Sequence, residues 1–188
     1  MMRYFFNFLH RIKRAIRNRS KKLSYWEKRS ELYYYNVVRD WIDECSPGDW
    51  ILDVGARDTP IVKHGSFTRR SMLDIRPFDN NHEGIEQIES DWLMFKMPQN
   101  ADLVLCLQVL EHLPDEIVGP FSRKLLDSGK NIIISVPYKW PKGFCKWHQQ
   151  DPVDIDKLER WTQREADRYY VEERDQDKRL IALYQRKC

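Results

Sequence analysis

Runs of apolar residues alternate with segments of helical spacing along the chain, and this alternation predicts a sheet covered by helices. Short apolar runs typical of buried strands occupy four segments: 50–55, 71–76, 102–107 and 131–136. A shorter strand is predicted near 85–90. Helical spacing marks three segments: 25–44, 120–128 and 154–162. Strands alternating with helices predict an α/β fold with a parallel sheet.

The last part of the chain departs from this alternation. Two apolar runs, 168–173 and 179–184, flank the polar stretch 174–178 and predict a hairpin. Near the start of the sheet, fifteen residues separate Gly55 from Ser71, so the first crossover helix should be short.

Residues 1–24 form a segment of different character from the rest. They contain eight Lys and Arg and no acid, with four apolar residues at helical spacing: Phe5, Leu9, Ile12 and Ile16. This pattern predicts a basic amphipathic appendage, with a domain over 25–188. Such a helix can lie on an anionic membrane surface or contact a partner. The alternatives are a cap packed on the domain and a frayed tail.

Composition excludes several classes of protein. With 41% hydrophobic and 32% charged residues, the 188-residue chain is globular, and none of its apolar runs approaches the length of about 18 residues that a membrane span needs. Residues 25–188 hold 24 of the 32 Lys and Arg against all 29 Asp and Glu, which argues against general nucleic-acid binding. Four scattered cysteines argue against a zinc knuckle or a disulfide framework and favour the reducing cytoplasm.

The spacing of a glycine and an acid predicts a nucleoside site. The predicted strand 50–55 ends at Gly55, and nineteen residues later the next predicted strand carries Asp74. In a parallel sheet such a glycine lets the backbone approach a ligand, and such an acid accepts hydrogen bonds from ribose hydroxyls. The alternative for Asp74 is a cap of the turn before Pro77.

Two further segments, Ala101–Asp115 and Asn131–Pro137, complete a pattern that resembles the class I S-adenosylmethionine-dependent methyltransferases, specifically their type 11 small-molecule subgroup. The resemblance implies a Rossmann-like, doubly wound, mostly parallel seven-stranded sheet with an antiparallel last strand. The family commonly reads Asp-x-Gly-x-Gly-x-Gly after the first strand. Here Asp53 is followed by Gly55 alone, and Arg57 stands at the second glycine position.

The resemblance also implies which residues bind S-adenosylmethionine. They are Asp53, Gly55, Ala56, Arg57, Asp74, Ile75, Asp91, Trp92, Gln108 and Val109. Among them, the resemblance places Asp91 and Trp92 against the adenine, and Gln108 and Val109 along the methionine part of the cofactor. Arg57 is expected to meet the cofactor carboxylate as a charge-assisted pair. Asp91 is alternatively a turn cap, and Trp92 is alternatively a core residue.

Catalysis by the implied methyltransferase needs a base if the acceptor is a hydroxyl, and two histidines are candidates. His112 lies in the Glu-His pair after the fourth predicted strand, and His148 lies in the segment 146–152 where the family builds its acceptor pocket. Alternatively, His112 is structural and His148 caps the helix with Asp154. We expect no metal, because Leu107 and Gln108 supply no acid where catechol-type relatives hold magnesium.

The implied function is methylation of a small molecule or glycan, on oxygen in preference to other atoms. Nucleic acid is not expected as a partner, because Gln108-Val-Leu-Glu111 stands where base methyltransferases carry Asn/Asp-Pro-Pro-aromatic. The alternative is a degenerate cofactor-binding scaffold. A cytoplasmic location follows, with residues 1–24 offering a peripheral contact at the inner membrane surface.

Overall fold

The computed structural model describes residues 25–174 and 178–186. The chain divides into two compact units, Met1–Ser30 and Glu31–Cys188. In the first unit the described part is one short helix, α1 (Tyr25–Arg29), and the predicted amphipathic helix of residues 1–24 lies outside the described residues. Across the described part, no helix combines the length and the apolar character that a membrane span requires.

The second unit is built on one seven-stranded sheet. Its strands are β1 (Gly48–Val54), β2 (Phe67–Asp74), β3 (Glu86–Glu89), β4 (Ala101–Leu107), β5 (Gly129–Pro137), β6 (Arg168–Glu172) and β7 (Arg179–Gln185). The order across the sheet is β3-β2-β1-β4-β5-β7-β6. Strands β1 to β5 pair in parallel, whereas β7 pairs antiparallel with both β5 and β6. The predicted fold class is confirmed, including the antiparallel last strand.

The strand order reverses direction between β1 and β4. Chain order runs outward from β1 through β2 to β3, and β4 then returns to the other side of β1. Ligands of open α/β sheets bind outside the carboxyl ends of the strands at such a point. The ends of β1 and β4, Val54 and Leu107, therefore mark where a site is expected.

Three helices accompany this sheet: α2 (Tyr34–Glu44), α3 (Asp115–Asp127) and α4 (Ile155–Thr162). The predicted helix 25–44 is interrupted between Arg29 and Tyr34. Helix α2 begins at Tyr34, and its buried residues include Tyr34, Val38 and Ile42.

The connections differ in length, as the sequence predicts. Between β1 and β2 the crossover contains a single 3-10 turn, Ile61–Lys63. Helix α3 begins at Asp115, five residues before the predicted start at 120, and Pro120 lies inside it. The Asp154 carboxylate caps α4 by accepting the Lys157 amide at 2.9 Å.

Candidate active site

Gly55 brings the loop after β1 against the loop after β4. Its φ of +76° is a conformation that side chains rarely adopt, and a Cβ there would lie 2.5 Å from Cγ2 of Val109. The amides of Gly55 and Ala56 both donate to the Leu73 carbonyl, at 2.8 and 3.1 Å. Glycine is thus required here by backbone conformation and by the close approach of Val109.

Asp74, at the end of β2, organises the loops around this glycine. Its Oδ2 accepts the Arg57 amide and its Oδ1 accepts the Arg76 amide, each at 2.9 Å. The turn-capping alternative therefore describes a contact that is present. A carboxylate has about four acceptor sites, so Asp74 can also accept from ribose hydroxyls.

Asp53 is a carboxyl group buried at the end of β1, with 1% of its surface exposed. Within the described residues, no donor meets hydrogen-bond geometry at either of its oxygens. Burial raises the pKa of Asp53 well above its ordinary value, the charge of Asp74 raises it further, and the nearby Thr59 hydroxyl offsets part of the rise. The Thr59 hydroxyl itself donates to the Ala56 carbonyl at 2.6 Å. A buried carboxyl group in this state is suited to a cationic or donor group of a ligand.

Arg57 occupies the second glycine position of the family pattern, and its backbone has the conformation that glycine favours. Its φ is +48°, in the left-handed region, and its residue is exposed. At this position the backbone thus keeps the conformation of a glycine although the residue is arginine. Whether the guanidinium meets a cofactor carboxylate stays a prediction.

Three further residues that are predicted to bind the cofactor, two of them at the adenine, lie in different surroundings. Ile75, beside Asp74, is 66% exposed. Asp91 accepts the Leu93 amide at 2.8 Å, which is the capping contact weighed as its alternative. Trp92 is 3% exposed and packs in the core against Phe121, with ring centroids 6.2 Å apart. The adenine roles stay predictions, and the side chain of Trp92 lies in the core.

The loop after β4 leaves the sheet through Gln108. This residue has a φ of +59°, its amide donates to the Ser135 carbonyl at 2.8 Å, and its Nε2 donates to the Ser135 Oγ at 3.2 Å. Val109 then packs over Gly55. The two residues that the sequence assigns to the methionine part of the cofactor therefore lie at the reversal point of the sheet.

A 3-10 turn, Leu110–His112, follows at once and is fixed by a second loop. The Glu111 carbonyl accepts the amides of Gln149 and Gln150, at 2.8 and 3.2 Å, and Gln149 Nε2 donates to the His112 carbonyl at 2.8 Å. These bonds bring residues about 36 positions apart into one cluster, which no local spacing in the sequence predicts.

Both predicted catalytic histidines belong to this cluster. Their rings lie edge to face with centroids 4.8 Å apart. His112 Nδ1 is 3.1 Å from the Trp147 carbonyl, and His148 Nδ1 is 2.8 Å from Oδ2 of Asp151. His148 therefore pairs with Asp151, and the helix cap that was its alternative role belongs to Asp154.

The His112 imidazole is shifted toward its neutral form. Burial lowers its pKa, His148 and Arg76 add to the lowering, and the contacts with the Trp147 carbonyl and Asp151 oppose it. Because a carbonyl oxygen only accepts, the neutral ring carries its proton on Nδ1 and a lone pair on Nε2. A lone pair of this kind can accept a proton or bind a metal.

Aromatic side chains surround the cluster. Trp140 stacks on His148 with centroids 5.3 Å apart, and the Arg179 guanidinium lies 4.5 Å from the centroid of the Trp140 ring. Trp147 and Phe144 are 67% and 61% exposed. The predicted acceptor region is therefore an aromatic surface next to the two histidines.

Two acids near the site were not singled out as site residues from the sequence. Asp58 accepts the Asp79 and Asn80 amides, both at 3.1 Å, and thereby ties the loop after β1 to the loop after β2. Asp151 orients His148. Asp58 lies in the segment 53–59 that was compared with the glycine-rich pattern, so its carboxylate could have been considered from the sequence. Asp151 lies in the segment 146–152, and nothing in the sequence indicates that it pairs with His148.

Comparisons with known proteins agree with this architecture. No protein-family model matches the chain. A curated relative, the ubiquinone biosynthesis O-methyltransferase of Pseudomonas putida GB-1, is 27% identical over 140 residues. That match covers 64% of this chain and 60% of the relative, so the chain spans about three fifths of such relatives.

Solved structures match over more of the chain. Magnesium protoporphyrin IX methyltransferase from Synechocystis PCC 6803, with bound S-adenosylhomocysteine, superposes with a TM-score of 0.63 at 16% identity, over 99% of this chain and 98% of that one. The small RNA methyltransferase HEN1 gives 0.64 at 18% identity, over 82% of this chain and 25% of that one.

Strand order, the antiparallel edge and these likenesses define one fold. It is the fold of the class I S-adenosylmethionine-dependent methyltransferases, and the fold that the sequence resemblance implies is therefore confirmed. The type 11 subgroup stays a prediction.

Proposed function

We propose that the chain binds S-adenosylmethionine at the carboxyl ends of β1 to β4 and methylates a hydroxyl group of a small molecule or glycan. One observation carries the proposal: Val109 contacts Gly55 at the cofactor edge, and His112, with its Nε2 lone pair, follows three residues later. The loop after β4 thus joins the cofactor edge to a proton acceptor.

The cofactor residues fit the group that the fold implies. S-adenosylmethionine supplies a methyl group on a sulfonium, together with an α-ammonium, a carboxylate and a ribose. The buried Asp53 suits the ammonium end, and Asp74 has acceptor sites for the ribose. Arg57 would bind the carboxylate, Ile75, Asp91 and Trp92 the adenine side, and Gln108 and Val109 the methionine chain.

The histidine cluster and the aromatic surface around it are where the acceptor would bind. His112 or His148 would take the hydroxyl proton at Nε2, while the aromatic surface holds the acceptor at attack distance. The name of the curated relative supports oxygen as the methylated atom. The excess of acid over base in residues 25–188 favours a small molecule or glycan over RNA, which the solved neighbour HEN1 methylates by its name.

Residues 1–24 would attach the enzyme to the inner membrane surface in the cytoplasm. Eight basic residues and no acid support this, since each Lys or Arg near an anionic surface contributes about 1 kcal/mol. Deleting residues 1–23 should abolish sedimentation with anionic vesicles and leave cofactor binding intact. If the deletion instead lowers the melting temperature, and the full chain never binds vesicles, the segment is a cap on the domain.

The test of the function is transfer of a labelled methyl group. The purified chain, incubated with methyl-labelled S-adenosylmethionine and a small-molecule extract, should produce a labelled compound that can be identified by mass spectrometry. A panel of phenols and sugars would then separate oxygen from nitrogen acceptors. Cofactor binding without any labelled product would favour the degenerate scaffold.

A further inference from the structure

Three side chains of the histidine cluster have the composition of a metal site. Glu111, His112 and His148 each offer one ligand atom, and these three atoms lie within 4.8 Å of one another. Two of the residues are adjacent in the 3-10 turn, and the third comes from the loop that this turn anchors. Carboxylate and imidazole groups that converge from separate loops are typical of a built site.

The hydrogen bonds of both histidines leave the same nitrogen to bind a metal. His112 Nδ1 donates to the Trp147 carbonyl at 3.1 Å, so the lone pair of the neutral ring is on Nε2. His148 Nδ1 donates to Asp151 Oδ2 at 2.8 Å, and the two side chains are 6% and 1% exposed. Metal-binding histidines are commonly oriented in this way by a carboxylate or a carbonyl on the other nitrogen.

Glu111 is the third member of the cluster, and its position is fixed by burial and by hydrogen bonds to its backbone. Its side chain is 1% exposed, its backbone carbonyl accepts two amides, and its Oε1 lies 4.0 Å from Nε2 of His112. Ligand atoms of a tetrahedral zinc ion lie about 3.3 Å apart, given bond lengths near 2.0 to 2.1 Å. The distances among the three ligand atoms extend to 4.8 Å, about 1.5 Å more than that spacing, so the His112 ring, whose side chain is 43% exposed, would have to move by roughly this amount when a metal binds.

We propose that Glu111, His112 and His148 form a site for a first-row divalent transition-metal ion, with Asp151 orienting His148. Imidazole ligands favour zinc, cobalt or iron over magnesium. Three protein ligands leave a further position open, as in catalytic zinc sites. The sequence prediction of no metal considered only the positions of Leu107 and Gln108, whereas this cluster begins three residues later.

The role of the ion in catalysis rests on the proposed function. A hydroxyl group bound at the open position would have a lowered pKa and release its proton to solvent. The oxygen lone pair then forms the bond to the methyl carbon, the bond from that carbon to sulfur breaks, and its electron pair stays on sulfur. With the ion bound, both histidines are ligands and the proton goes to solvent; without the ion, Nε2 of a histidine accepts it.

Titration with Co²⁺ tests the site without any cofactor or acceptor. The full chain, stripped with a chelator, should bind one equivalent with visible d–d absorption that Zn²⁺ displaces. Glu111→Gln, His112→Ala and His148→Ala should each weaken binding at least 100-fold, and Asp151→Asn about 10- to 100-fold. His64→Ala is the matched control and should bind like the parent. Thermal melts and S-adenosylhomocysteine titration establish that each variant is folded.

Three outcomes would overturn the proposal. The first is Co²⁺ binding that survives both His148→Ala and Glu111→Gln, and the second is binding that is lost in the control His64→Ala. The third is the absence of Co²⁺ binding by the parent chain. If Co²⁺ binds as expected but S-adenosylmethionine does not bind, the proposed function fails while the metal site stands. If Co²⁺ does not bind but cofactor binding and turnover are normal, the metal site fails while the proposed function stands, and turnover that is unchanged after chelation would remove the catalytic role of the ion.

Discussion

The cofactor edge and the histidine cluster are assembled by different means. At the edge, Gly55 and Asp74 follow consecutive parallel strands, and backbone amides fix their positions. In the cluster, His112 and His148 meet because a turn and a distant loop exchange hydrogen bonds. The first arrangement follows from the sheet, and the second depends on a few contacts between loops.

This difference predicts that the two regions fail separately when they are altered. Changes at the edge should act on cofactor affinity and on the stability of the sheet. Changes in the cluster should act on methyl transfer and leave cofactor affinity unchanged.

The largest effect is expected for His148→Ala. Removing either a general base or a ligand of the activating metal should lower turnover by about 100- to 10,000-fold. Because its Nδ1 bonds Asp151 and not a residue predicted to bind the cofactor, affinity for S-adenosylhomocysteine should be unchanged. Steady-state kinetics and calorimetry check the two parts, with His64→Ala as control. A parallel loss of cofactor affinity would join the two regions.

Gly55→Ala should destabilise the domain by about 3 kcal/mol, because strain at positive φ adds to a clash with Val109. Gly84→Ala is the matched control: its φ is +74°, but a Cβ there meets nothing within 4 Å. It should cost only about 1 kcal/mol. Chemical denaturation measures both, and adding Val109→Ala should restore part of the loss. Equal costs at the two glycines would contradict the close approach.

Asp53→Asn should raise the stability of the domain and lower its affinity for the cofactor. The pKa of Asp53 is raised above 3.8 in the folded state, so its favourable contribution exists below that value and is lost as pH rises through the folded pKa. At pH 7 the neutral amide should therefore gain about 1 to 2 kcal/mol, with the advantage vanishing in acid. Thermal melts across pH test this, and the same variant should bind S-adenosylmethionine at least tenfold more weakly. Lower stability at pH 7 would show that the carboxylate is satisfied.

The smallest effect on stability is expected for Arg57→Gly. Relief of the left-handed strain exceeds the entropy that glycine adds to the unfolded chain, so stability should rise by about 0.5 kcal/mol. If the guanidinium binds the cofactor carboxylate, affinity for S-adenosylmethionine and S-adenosylhomocysteine should fall alike, as both carry that group. Loss of affinity for only one of them would remove Arg57 from the site.

The same contrast explains what could be predicted from sequence. The apolar runs of β1, β4 and β5 are buried on both faces, so strands and their ends were placed to within a few residues. Gly55 and Asp74 were predicted as site residues because they are nineteen residues apart and lie at the ends of two predicted strands. The start of α3 was predicted five residues too late, at 120 instead of Asp115, and Pro120 lies inside the helix.

The contacts of the cluster were beyond the sequence. Both histidines were chosen by resemblance, but nothing in their spacing indicated that the Gln149 and Gln150 amides bind the Glu111 carbonyl. Likewise, the pairing of Asp151 with His148 depends on how one loop folds over another. Long-range loop contacts leave no periodic pattern, and they also placed Glu111 beside the two histidines.

We expect the edge formed by β1 and β2 to bind a nucleoside cofactor through Asp74. Calorimetric titration with S-adenosylhomocysteine tests this by comparing the affinity of Asp74→Ala with that of Asp40→Ala, a change at an exposed residue of α2. Losing charge-assisted ribose hydrogen bonds worth about 1.5 to 3 kcal/mol each should weaken affinity at least tenfold in Asp74→Ala and leave Asp40→Ala unchanged. Equal binding by the parent and both variants would contradict the claim.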